Sequence, residues 1–146
     1  MDTNTITVTG NVTNDPIIRF LPKSGKAVAN FDVAVNRRWL NKATNEWESD
    51  TTFLGVTVYD RLAENIGESL TKGDRVTVTG RLAIESWEKD GQPRSKTVIV
   101  ANDVSLSLQW ATGKVTRNPK NENGNGGGYT PAAAPVADNG FSEEPF

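Results

Sequence analysis

Between Ile6 and Leu108 the chain is governed by a hydrophobic period of two. In ITVTGNV, Ile6, Val8 and Val12 alternate with Thr7 and Thr9, as in a strand with one face in a core and the other in water. Gly10 interrupts that strand, and an interior glycine marks a bulge or bend. Asn14–Pro16 closes the segment with turn residues. A second strand is predicted from about Ala27 to Arg37, with Phe31, Val33 and Val35 on its apolar face. A third, TTFLGVTVY, sets Leu54, Val56 and Val58 on one side and Phe53, Gly55, Thr57 and Tyr59 on the other. In DRLAENIGESLTKGD the period changes: Leu62, Ile66 and Leu70 recur every four residues and predict a helix, capped by Asp60 and stopped by Gly73. Alternation then returns. Val76, Val78, Leu82 and Ile84 face one way, and Thr77, Thr79, Arg81, Ala83, Glu85 and Trp87 the other. Asp90-Gly91 supplies a hairpin turn, and a last strand from about Arg94 carries Val98, Val100, Val104, Leu106 and Leu108.

Three strands, one helix and a long hairpin form the element order of an all-β OB-fold, a five-stranded barrel with the helix between its third and fourth strands. A β-sandwich lacks the mid-chain helix, and a parallel α/β fold needs several. From about Asn118 the composition shifts to Asn, Gly, Ala and Pro without periodicity, too little apolar surface to offset the entropy of ordering. Residues 1–117 are therefore read as the barrel domain and 118–146 as a disordered tail.

Composition narrows the chemistry. The chain has no cysteine and no histidine, which excludes disulfides, thiolate nucleophiles and Cys-based zinc, and removes the commonest general base and metal ligand. No acid pair converges on a cleft: Glu85 faces outward, and Glu88 and Asp90 sit by a turn. GNGGG lies in the tail with no helix after it to bind phosphate. The expectation is a binding protein rather than an enzyme, with no metal and no cofactor. The N-terminus lacks a basic and apolar leader pattern, and no apolar run reaches membrane-spanning length. A soluble, intracellular protein with no membrane partner is expected. The net charge of −2 is unevenly placed. Residues 1–117 hold 15 Lys+Arg against 14 Asp+Glu, a net +1, while 118–146 hold one lysine against four acids, a net −3. The barrel is near neutral, and the acidity belongs to the tail.

With Leu54, Val56 and Val58 in the core, Phe53 and Tyr59 must point out of the barrel, and Trp87 lies on the same side as Arg81. Any one such ring is equally well explained by packing under a loop or in a subunit interface. Several on neighbouring strands favour a ligand with flat faces, such as nucleobases. NRRWLNKATNEWESD reads as a long polar loop in which Arg37, Arg38 and Lys42 interleave with Trp39 and Trp47, suiting phosphates and stacked bases; the bland reading is a solvated hairpin tip. Extending the second strand's alternation would send Arg37 and Trp39 towards the core, so a twist or bulge is expected after Asn36. Lys89, Arg94 and Lys96 flank the last hairpin and either extend a basic path or are solvated turn charges. Trp110 continues the alternation of Leu106 and Leu108 and is expected in packing or an interface.

GNVTNDPIIRF, GKAVANFDVAV and LAENIGESLTKGDRVTVTGRL, with a chain end on EEPF, together resemble the bacterial single-stranded DNA-binding proteins, and the resemblance covers the whole length. It implies a homotetramer that wraps DNA over aromatic and basic residues, with Trp39, Phe53, Tyr59 and Trp87 as stacking residues. Phe53 and Tyr59 stand where other members carry Trp or Phe. Arg37, Arg38, Lys42, Arg81, Lys89, Arg94 and Lys96 are the candidates for phosphate contact. It further implies that Glu143, Glu144, Pro145 and Phe146 form a tip docking on replication, recombination and repair proteins in a bacterial, nucleoid-associated setting. Phe141 and Ser142 make this tip less acidic than the family's fullest form. The rivals are an OB-type primosomal accessory protein, which gives no reason for the acidic tip, and a carbohydrate-binding module, which gives none for the cations around Trp39. A carboxylate-based hydrolase is more distant.

Overall fold

In the computed structural model, residues 3–120 are described. The tip residues Glu143–Phe146 and most of the predicted tail lie outside them. The chain divides into Met1–Gly113 and Lys114–Phe146. The first part holds every described element: β1 (Ile6–Val12), β2 (Ile17–Phe20), β3 (Ala27–Asn41), β4 (Glu46–Tyr59), α1 (Asp60–Ser69), β5 (Arg75–Lys89) and β6 (Gln92–Leu106).

The sheet runs β1-β5-β6-β4-β3-β2, and β1 also pairs with β3. That additional pairing closes β1, β5, β6, β4 and β3 into a five-stranded barrel, with β2 added along the free side of β3. β1 can close it because it bends. Up to Asn11↔Arg75 it follows β5, and Asn11↔Ala34 and Val12↔Val33 join it to β3. Gly10 sits at this corner, where a Cβ would collide with the carbonyl oxygen of Ala34, so the predicted bend and its glycine have one cause. The interior is filled by Val12, Phe31, Val33, Val56, Val58, Val76, Val78 and Ile99, all nearly inaccessible. Ala63, Ile66 and Leu70 of the α1 region close one end of this core. A second tight approach occurs at Gly80, where a Cβ would meet the Val100 carbonyl oxygen.

Several expectations are corrected. The short β2 was not foreseen; only Ile18 of its four residues is partly buried, packed near Gly67 of α1. Asp60 does not cap the helix. Tyr59 is the N-cap residue and no side-chain cap bond forms; Asp60 lies at φ 63°, with its carboxylate 3.9 Å from Lys26. Gly73 does not stop the helix either, since the helix has ended at Ser69; Gly73, at φ 98°, serves the turn beyond it.

The segment read as a polar loop is a paired arm. β3 and β4 keep one antiparallel register without interruption from Val28↔Tyr59 to Asn41↔Glu46, so no bulge follows Asn36. The alternation simply outruns the barrel, and beyond Val35 it has no core to point at. The same happens in β5, where Leu82 and Ile84 keep the core parity yet are exposed. In β6 the parity itself reverses: Thr79 pairs with Asp103 and Gly80 with Ala101, leaving Asn102 as an extra residue. Val104 and Leu106 therefore share the face of Ile99, and Val98 and Val100 take the opposite one. β6 stops at Leu106, and Trp110 lies beyond it, 78% exposed. Asp90-Gly91 does form the predicted two-residue turn, with both residues at positive φ (55° and 75°).

Candidate nucleic-acid interface

Residues paired across a sheet share a face, so the register assigns sides. On β3 and β4 the pairs Val28–Tyr59, Asn30–Thr57, Asp32–Gly55, Ala34–Phe53, Arg38–Ser49 and Leu40–Trp47 lie outside the barrel, opposite the core pairs Phe31–Val56 and Val33–Leu54. Gly55 pairs with Val98 of β6, which pairs with Ala83 of β5. The same outer face therefore continues through Arg81–Val100, Glu85–Lys96 and Trp87–Arg94. Phe53, Tyr59 and Trp87 thus share one surface formed by three strands. They are 67%, 43% and 44% exposed.

This surface has a built floor. Asn30 Nδ2 donates to Thr57 Oγ1 at 3.0 Å, and the Thr57 hydroxyl donates to Glu85 Oε1 at 2.6 Å. Thr57 is buried beneath these partners. The bonds link β3, β4 and β5 across an open depression that Asp32, Gly55 and Lys96 also line. Around it stand the cations. Arg81, Arg94 and Lys96 share the outer face, and Lys89 ends β5 beside the turn. Lys96 also reaches Asp32, with Nζ 3.6 Å from Oδ1.

The arm carries the remaining candidates on its two sides. Arg38 and Trp47 belong to the outer face, with the guanidinium 5.0 Å from the ring centroid. Arg37 and Trp39 lie on the other side, stacked at 4.5 Å. Each is a cation–π pair that holds a flat, charged platform away from the barrel. Lys42 occupies the exposed turn, which Asn41 shapes by accepting the Ala43 N–H at 2.9 Å. Thus Phe53, Tyr59, Trp87, Arg38, Arg81, Lys89, Arg94 and Lys96 come together on one face, while Arg37 and Trp39 stand behind the arm. Trp47, 60% exposed, shares this face, although the resemblance did not imply it among the stacking residues. Its signal was the parity of Phe53 carried back through Thr51 and Ser49. Asp32 was likewise missed, because nothing local in sequence ties it to Lys96.

Chemically, the face offers π surfaces with cations among them, which fits an extended polyanion with flat, unpaired bases. Among the described residues no group of three acids is placed to hold a metal ion, and no helix is long and apolar enough to cross a membrane.

Residues 3–107 match the model of the single-strand binding protein family. A single-stranded DNA-binding protein of Paenarthrobacter aurescens is 47% identical over 130 residues, covering 86% of this chain and 75% of that one. Among solved structures, the Plasmodium falciparum SSB in complex with ssDNA superposes with a TM-score of 0.62 at 35% identity, covering 73% of this chain and 94% of that one. The small single-stranded DNA-binding protein of Streptomyces coelicolor gives a TM-score of 0.59 at 32% identity, with 74% and 97% covered.

Proposed function

The chain belongs to the single-strand binding protein family, and from that premise we propose that it binds single-stranded DNA stoichiometrically and without sequence preference. The observation that carries the reading is the co-facial placement of exposed Phe53, Tyr59 and Trp87 with Arg81, Arg94 and Lys96. Bases stack on the rings, each stack contributing roughly 1–3 kcal/mol whatever the base. The cations neutralise the phosphates between them. Duplex DNA binds poorly, because its bases are already stacked on one another. No bond is made or broken, so the protein protects strands rather than processing them.

The cellular reading is that the protein covers strands exposed in replication, recombination and repair, as a homotetramer in a bacterial cytoplasm at the nucleoid. Residues 118–146 serve as the tether, and Glu143, Glu144, Pro145 and Phe146 as the part that other proteins read. The test is equilibrium binding of fluorescently labelled oligo-dT, a duplex of equal length, and soluble glycans. Tight binding of oligo-dT alone supports the proposal. Equal affinity for all three, or preference for a glycan, overturns it.

A further inference from the structure

The outer face carries an ion pair drawn directly across it. Lys96 belongs to β6 and Asp32 to β3, and β4 runs between them, yet Nζ lies 3.6 Å from Oδ1. The crossing is possible because the β4 residue in its path is Gly55, which pairs with Asp32 on one side and Val98 on the other. A Cβ at Gly55 would lie 2.7 Å from Lys96 Cε and 2.8 Å from Nζ. The glycine is therefore the trough in which the lysine lies, two positions from Phe53 and two from Thr57 along the same face. The strand under Asp32 is pinned, since its N–H donates to Asn14 Oδ1 at 3.2 Å and its carbonyl accepts the Thr13 N–H at 2.9 Å. The two side chains are nonetheless about half exposed, 48% for Lys96 and 46% for Asp32, so a ligand arriving on the face meets the pair itself.

A carboxylate at the centre of a phosphate-binding surface has the wrong charge for the ligand and the right charge for the lysine. We infer that Asp32 is an internal stand-in for phosphate. In the unliganded chain it holds Lys96 across Gly55, and a single strand takes the lysine by displacing the carboxylate. Breaking one ion pair to form another leaves little net gain at this position. Asp32 thus sets affinity and salt dependence without touching a base, and keeps the strand exchangeable. This inference rests on the proposed DNA reading of the outer face.

The experiment is a double-mutant cycle of the full chain, Asp32→Asn, Lys96→Gln and both, titrated with labelled oligo-dT over a range of salt. Asp32→Asn is expected to bind roughly two- to five-fold tighter at low salt, the range set by an exposed ion pair. Its slope of log affinity against log salt should steepen by up to about 0.7, one phosphate's worth on a single strand. In the Lys96→Gln background the same substitution should improve binding by less than about 1.5-fold, because the exposed pair it would release is gone. Equal gains in both backgrounds would show Asp32 acting as a bare charge, and weaker binding by Asp32→Asn would show it delivering Lys96 to DNA. Either result overturns the inference. Failure of the unmodified chain to bind oligo-dT would strike the proposed function instead, so the two failures are read separately.

Discussion

Phe53 is held by a strand whose neighbouring positions, Leu54 and Val56, enter the core, and its own ring touches mostly water. Such a side chain contributes little to folding and much to a ligand that can cover it. Phe53→Ala and Trp87→Ala are each expected to weaken oligo-dT binding by about five- to 150-fold, the equivalent of losing a stacked base at 1–3 kcal/mol. The melting temperature should stay within a few degrees, because neither ring fills the core. Trp39→Ala should cost less than Trp87→Ala, since Trp39 stands behind the arm under Arg37; isothermal titration of the variants checks the order. Parity alone was enough to place Phe53, Tyr59 and Trp87 outside the barrel. It also gave Trp39 its side, opposite Phe53, and the expected twist or bulge after Asn36 was unnecessary; the paired arm itself was hidden because a stretch rich in Arg, Lys, Asn and Glu reads as a loop even when its backbone is fully paired.

At the scale of elements, the barrel depends on two places where strands press together so closely that only glycine fits. Gly80 lies at the register shift of β5 against β6, facing the backbone oxygen of Val100. Backbone cannot move aside as a flexible side chain can, so Gly80→Ala should cost about 1–3 kcal/mol as an overpacking defect. Urea denaturation measures it, and Gly55→Ala provides the contrast: its Cβ meets the movable end of Lys96 and, at 3.3 Å, one methyl of Val98, but no backbone atom, so the loss of stability should be smaller than for Gly80→Ala. Element existence was largely legible in the sequence: five strands, one helix and the Asp90-Gly91 turn follow from period and turn chemistry. What stayed hidden depended on tertiary position. Nothing local marks Asn102 as the extra residue that reverses β6, nor tells Leu82 and Ile84 that their strand has left the barrel. Four residues of β2 are too few to show a period.

For the whole molecule, the near-neutral balance of residues 1–117 makes stacking as important as charge. The salt dependence of oligo-dT binding should accordingly be shallower than the count of surface cations implies, given about 0.7 per phosphate neutralised. The division of labour along the chain is read from family resemblance and composition, not from alternation. Removing Glu143–Phe146 is expected to leave oligo-dT affinity within about twofold of the full chain, because the counterion term lies in the barrel's cations. The same truncation should abolish capture of purified replication and repair proteins. A truncated chain that loses DNA binding would contradict that division.

If single strands lie on the outer face of β4, β5 and β6, Trp87, which stands on that face, reports on them directly. A variant with Trp39, Trp47 and Trp110 replaced by Phe retains Trp87 as its only tryptophan. Its fluorescence should be strongly quenched on titration with oligo-dT and little changed by duplex DNA of the same length. Saturable oligo-dT binding that leaves Trp87 emission unaltered would mean that the strand lies elsewhere on the protein.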